Sequence, residues 1–190
     1  MNIIKSNFKW ANVLDTREET KYIVLHHRAG NGDVESIHKQ HLEKGWAGIG
    51  YHYYIRKDGT IYAGRPEYTI GAHVTNYNNC SIGICFEGNY AVTETMPSAQ
   101  FKAGNQLIMK LKKTYPLAEI VPHSSLGPTT CPGIHFPFKL ITREALTLTK
   151  DEAIKVIKEK TGLSDMSLQY LQSYKYDKDL IIKLAQPMIH

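Results

Sequence analysis

The 190-residue chain is predicted to fold as an α/β protein, a mixed central β-sheet flanked by helices. Three observations predict this. Short runs rich in β-branched and aromatic residues recur at 21–25, 51–57, 60–63, 81–86 and 119–122. Between them stand two stretches with helical spacing of apolar residues, 34–44 and 97–115. The length and a 42% hydrophobic content suffice for one well-buried domain, which sets aside disordered and fibrous classes.

Each element has a local reason. Lys21 to Leu25 is a short apolar run of β-formers, a buried strand that delivers His26 to its carboxyl end. Asp33 caps a helix from Val34 to Lys44, ended by Gly45. On that helix His38 and His41 are expected to pack or hydrogen-bond. Tyr51 to Lys57 and Thr60 to Ala63 are two strands joined through Asp58-Gly59, a hairpin signal. Alternation would put Tyr51, Tyr53 and Ile55 on one face. Ser81 to Phe86 is a further buried strand. Pro97 to Tyr115 is a long amphipathic helix with Phe101, Leu107, Ile108 and Leu111 inward, closed by Pro116. Glu119 to Pro122 is a short strand that leads into His123.

The pattern changes near residue 146, so we expect one domain over 1–145 and a small helical region over 146–190. Thr149-Lys-Asp-Glu152 is a capping box opening a helix through Lys160, closed by Gly162, and Ser164 and Asp177 start two shorter ones. Ile154, Ile157, Leu168, Leu171, Leu180, Ile181 and Leu184 make their apolar faces. So short a segment cannot easily bury a sufficient core alone, so it docks on the first domain, self-associates or meets a partner. Tyr170, Tyr174 and Tyr176 are available for sugar contacts or for packing.

The chemistry concentrates in three side chains. His26 ends the run Tyr22-Ile-Val-Leu-His-His27, and the loop His123-Ser-Ser-Leu-Gly-Pro-Thr-Thr-Cys131-Pro-Gly carries a His-x7-Cys pair on one tight turn. Two imidazoles and a thiolate form a three-ligand zinc set with a fourth position left for water, the arrangement of a catalytic rather than a structural zinc. Cys80 and Cys85, in a strand-like run, are read as small buried hydrophobes. The odd count of three cysteines, with Cys131 needed as thiolate, argues for synthesis in a reducing compartment.

Between the first histidine and the His-x7-Cys loop come Gly48-Ile-Gly-Tyr51-His-Tyr-Tyr-Ile-Arg-Lys-Asp58-Gly59-Thr-Ile-Tyr-Ala-Gly-Arg65, then Gly71-Ala-His73, then Asn79-Cys-Ser-Ile-Gly-Ile-Cys-Phe-Glu87-Gly. In that order these segments resemble the zinc-dependent N-acetylmuramoyl-L-alanine amidases of the bacteriophage-lysozyme and peptidoglycan-recognition type, over roughly residues 20 to 140. The resemblance implies the amidase type 2 fold, a zinc cofactor held by His26, His123 and Cys131, and a Tyr51 hydroxyl that bonds the attacking water and the reacting carbonyl. Thr129 falls where the phage enzyme carries a lysine and many recognition-type amidases carry threonine. A neutral hydroxyl there donates to an oxyanion without supplying positive charge. His73, on a loop lining the cleft, is the implied substrate contact. For the general acid two sources stand open, Glu87 and the water's own proton relayed through Tyr51.

The expected function is hydrolysis of the amide between muramic acid and L-alanine in peptidoglycan, as in a phage or prophage endolysin. A non-catalytic recognition module, a cytoplasmic muropeptide-recycling amidase and a regulatory binding protein on the same fold are the alternatives. The start Met-Asn-Ile-Ile-Lys-Ser-Asn lacks the pattern of a signal peptide, so the expectation is cytoplasmic synthesis and later release to the wall. No apolar run approaches membrane-spanning length. The balance of 23 basic against 18 acidic residues, net +5, favours anionic partners such as wall carboxylates. With no block of five or six like charges and no zinc-finger or recognition-helix spacing, nucleic-acid binding is not expected.

Overall fold

The computed structural model describes residues 1–92, 95–146, 150–173 and 177–189. Six strands, β1 (Ile3–Lys5), β2 (Tyr22–His27), β3 (Tyr53–Ile55), β4 (Ile61–Ala63), β5 (Ser81–Phe86) and β6 (Glu119–Pro122), form one sheet in the order β1-β4-β3-β5-β2-β6. Only β3 and β4 pair antiparallel; β1/β4, β3/β5, β5/β2 and β2/β6 are parallel. The mixed sheet thus follows from one hairpin set among crossovers.

Helices cover both faces. Helix α1 (Val34–Glu43) begins where Asp33 accepts the Ser36 N–H at 2.7 Å and stops before Gly45, whose φ of +77° suits a residue without Cβ. Val34 and Ile37 pack with Ile49, Tyr54 and Cys85 on that face. The opposite face holds the main core, in which Ile23, Leu25, Ile82, Ile84 and Phe86 meet Leu107, Ile108 and Leu111 of α2 (Ser98–Thr114) and Ile141 of α3 (Phe138–Thr142). Phe101 reaches this core half-buried. Strand alternation sorts β2: Ile23 and Leu25 point to the α2 side, and Val24 packs with Val74 and Val121 on the other. His26 shares the Val24 face, which aims it away from the main core.

Two short elements, β1 and α3, were not expected. The expected strand from Tyr51 shortens to Tyr53–Ile55, because Tyr51 and His52 pair irregularly with Arg65 and Gly64 instead of continuing the ladder. All three β3 residues are buried because both faces of the sheet are covered. Tyr53 and Ile55 join the α2-side core and Tyr54 the α1-side cluster, as the alternation requires, whereas Tyr51 packs with the Tyr54 cluster instead of with Tyr53 and Ile55.

Beyond residue 146 lie α4 (Lys150–Thr161), α5 (Asp165–Gln172) and α6 (Asp177–Ala185). Gly162, at φ +67°, closes α4, and the Ser164 hydroxyl accepts the Ser167 N–H at the start of α5. These helices enclose a separate small cluster of Ala153, Val156, Ile157, Leu168, Ile181 and Ala185. Leu184 is exposed rather than inward. Thr149 of the capping box, Tyr174 and Tyr176 lie outside the described residues. Among the described residues no helix is long and apolar enough to cross a membrane.

Candidate metal centre and active site

Strands β2 and β6 are parallel neighbours, with Leu25 opposite Pro122. The next residue of each chain segment is a histidine, so His26 and His123 emerge side by side with ring centroids 4.5 Å apart. The chain then turns through a short 3-10 segment, His123–Ser125, and returns, the Ser124 N–H bonding the Cys131 carbonyl at 2.8 Å. That closure brings the ligand atoms of His26, His123 and Cys131 within 4.8 Å of one another. His27, one position on, faces the other way and accepts the Tyr90 N–H.

This donor set suits zinc. Tetrahedral bonds of about 2.05 Å to nitrogen and 2.3 Å to sulfur place those atoms about 3.6 Å apart, and Cys131 Sγ lies 3.8 Å from His26 Nδ1. Burial lowers the pKa of His26 well below the usual histidine value, with the neighbouring His123 and His27 adding to it, and burial also lowers His123. Both imidazoles are therefore neutral near pH 7, the form that ligates. Burial pushes the Cys131 thiol up to about 11, the backbone of His27 acting against it only weakly. Without metal the thiol keeps its proton.

Tyr51 stands beside the cluster, its ring 5.2 Å from that of His26. The segment that carries it is pinned by two helix histidines: His38 Nδ1 accepts the Ile49 N–H and His41 Nδ1 accepts the Gly50 N–H, at 3.1 and 2.9 Å. Burial raises the phenol pKa well above normal, and its hydroxyl pairs with the Cys85 sulfur. Tyr51 is thus a fixed proton donor, and Cys85, opposite His26 in the β2/β5 register, is its local partner. The Thr129 hydroxyl oxygen accepts the Cys131 N–H at 3.2 Å, which leaves its own proton free to be donated. An apolar groove of about 580 Å³, lined by Pro122, Thr130, Pro132, Ile134 and Leu140 among others, abuts the cysteine loop.

Two expected site residues sit elsewhere. Glu87 is buried and clamps a loop: it accepts the N–H groups of Gly32 and Lys57, each at 3.0 Å, and the Arg56 guanidinium at 3.3 Å. Burial alone would raise its pKa, but these donors outweigh it and hold the carboxyl below its ordinary value, so Glu87 is ionised at neutral pH and has no proton to give. His73 is buried behind His26, its Nδ1 3.0 Å from His26 Nε2, and so does not line the cleft as a substrate contact. Neither position is readable from one sequence, because both contacts join residues dozens of positions apart; the Gly71-Ala-His73 motif marked the residue but not its direction.

The sequence profile of the N-acetylmuramoyl-L-alanine amidases matches residues 16–134. The chain belongs to this family. It is an amide hydrolase, and the matched span contains all three cluster residues and Tyr51. The amidase is 35% identical over 140 residues to the endolysin of Enterobacteria phage K11, covering 69% of this chain and 92% of that one. It is 38% identical over 125 residues to peptidoglycan-recognition protein SC2 of Drosophila melanogaster, covering 59% and 67%. Among solved structures it superposes on the N-acetylmuramoyl-L-alanine amidase LysC from Clostridium intestinale with a TM-score of 0.73 and 37% identity, over 76% of this chain and 97% of that one. The mixed sheet with its flanking helices is therefore the fold of this family.

Proposed function

We propose that the amidase works with one zinc ion held by His26, His123 and Cys131. The bond it cuts is the amide joining N-acetylmuramic acid to L-alanine in bacterial peptidoglycan, and the consequence is lysis of the wall, the role named by its phage endolysin relatives. The observation that carries the metal reading is the complete two-imidazole, one-thiol cluster at the ends of adjacent parallel strands. Zinc there supplies Lewis acidity, polarising the scissile carbonyl and lowering the pKa of water to roughly 7.

The chain's own groups do the rest. His26 and His123, kept neutral by burial, leave their lone pairs for the metal, and Cys131 gives up its proton on metal uptake. As attack turns the carbonyl oxygen into an oxyanion, the Thr129 hydroxyl donates to it. Tyr51 donates to it as well, exchanging the Cys85 sulfur, a weak acceptor, for a charged oxygen. With Glu87 committed as a carboxylate, the proton for the leaving amine comes from the attacking water. We assign catalysis to residues 1–145 and read 146–190 as an accessory helical unit, available for wall contact or self-association through a surface that includes the exposed Met166 and Tyr170.

The test is hydrolysis of purified peptidoglycan by wild type and Cys131→Ser, each assayed for zinc. Wild type should hold about one zinc and release new L-alanine amino termini, and the variant should do neither. Wild type that binds zinc and wall yet frees no amine would instead be a recognition module.

A further inference from the structure

His26 offers two ring nitrogens, and the structure uses both. Nδ1 lies on the side of the ligand cluster, 3.8 Å from the Cys131 sulfur, whereas Nε2 lies 3.0 Å from Nδ1 of His73. One of the two facing nitrogens must carry a proton and the other must not. We propose, resting on the zinc reading above, that His73 is a positioning residue whose bare Nδ1 accepts the His26 Nε2–H and so keeps His26 Nδ1 bare and turned toward the metal.

The direction of this bond is set from its far end. The Ser81 hydroxyl donates its single proton to the Tyr77 carbonyl at 2.6 Å. Toward His73 Nε2, 3.5 Å away, Ser81 therefore presents only lone pairs, so that nitrogen is the protonated one. A neutral imidazole has one N–H, so His73 Nδ1 is bare, His26 Nε2 is protonated, and His26 Nδ1 is left for the ion. The chain of donors runs His26, His73, Ser81 and ends on a carbonyl, which only accepts. Such outer partners fix the tautomer and ring orientation of a ligating histidine.

The seat of His73 is built for its ring. A Cβ at Gly71 would come within 2.5 Å of the imidazole and one at Gly83 within 2.6 Å, so both positions leave room that any other residue would fill. The Asn78 carboxamide oxygen holds the backbone by accepting the N–H groups of His73 and Val74 at 2.7 and 2.9 Å. His52 packs edge-on against the ring at 5.6 Å but is engaged elsewhere, with Nδ1 on the Gly83 N–H and Nε2 on the Thr69 carbonyl.

The first measurement is long-range ¹H–¹⁵N correlation of the histidine rings in the full-length, zinc-loaded protein. The expected result is an Nε2–H tautomer for both His26 and His73. Zinc bound with His73 protonated on Nδ1 overturns the relay and leaves the metal reading standing; a wild type that takes up no zinc removes both. Zinc affinity by chelator competition gives a second test. His73→Asn keeps an acceptor oxygen where Nδ1 stands and should bind zinc within about threefold of wild type, whereas His73→Leu should bind roughly 10–100-fold more weakly. A space-filling role predicts the opposite order, with the leucine variant better tolerated, and that order overturns the proposal.

Discussion

The sheet domain and the C-terminal helices solve the same problem at different scales. Around the sheet, nineteen buried residues form one cluster that joins strands and helices far apart in sequence. Between α4 and α6, six buried residues form another, joined to the first region by contacts such as the Gln186 carboxamide on the Leu146 carbonyl. The larger core brings His26, His123 and Cys131, from distant parts of the chain, to where their ligand atoms lie within 4.8 Å of one another. The smaller one draws on neighbouring helices and has no metal-ligating cluster among its described residues. Precision of the site and depth of the core go together in this molecule.

The sharpest way to break that comparison is to damage each core in turn. Ile84→Ala, in a fully buried strand position, should cost about 2–5 kcal/mol in denaturant unfolding and lower zinc occupancy with it. Ile157→Ala should cost about 2 kcal/mol, nearer the low end because a small unit relaxes more readily, and should leave zinc content and hydrolysis unchanged. Loss of zinc in Ile157→Ala would show that the two regions unfold as one.

Acid should discriminate between them. Burial lowers His41 to about 4, with Lys44 and Arg65 adding to it, and lowers His52 to about 3. A histidine whose folded pKa lies below its unfolded value contributes stability above the unfolded pKa, near 6.5, and loses it as pH falls toward the folded one. Between pH 6.5 and 4, amide protection in β2 and β5 should therefore fall, after correction for intrinsic exchange, while α4 and α5 change little. Equal loss in both regions would defeat the comparison.

The smallest effect is expected at the surface of the helical unit. Lys158 and Asp165 pair at 2.5 Å but are both largely exposed, so Lys158→Ala should change stability by at most about 1 kcal/mol, less at high salt.

Much of this was legible in the sequence, and the exceptions share a cause. The β2, β5 and β6 runs declare themselves by β-branched residues, α1 by Asp33 and Gly45, and the clustering of His26, His123 and Cys131 by residue type and motif order. Strand β1 is only three residues long and its parallel partner β4 lies far along the chain, so no local pattern marks it. Glu87 and His73 were placed near the reaction because their motifs are. Their actual partners, the Gly32 and Lys57 N–H groups and the His26 ring, are set by three-dimensional neighbours. Residue type shows what a side chain is able to do, and burial decides which way it faces.

The placement of β2 between β5 and β6 also has a temporal side. Its register partners for Tyr22 are Ser81 and Glu119, so the strand is synthesised long before either neighbour exists. A growing chain on the ribosome therefore has His26 without the other two members of its cluster until Cys131 has emerged. With the cluster holding the ion as proposed, hydrolytic competence arrives only once Cys131 has been made, and a product that stops short of it should not hydrolyse peptidoglycan.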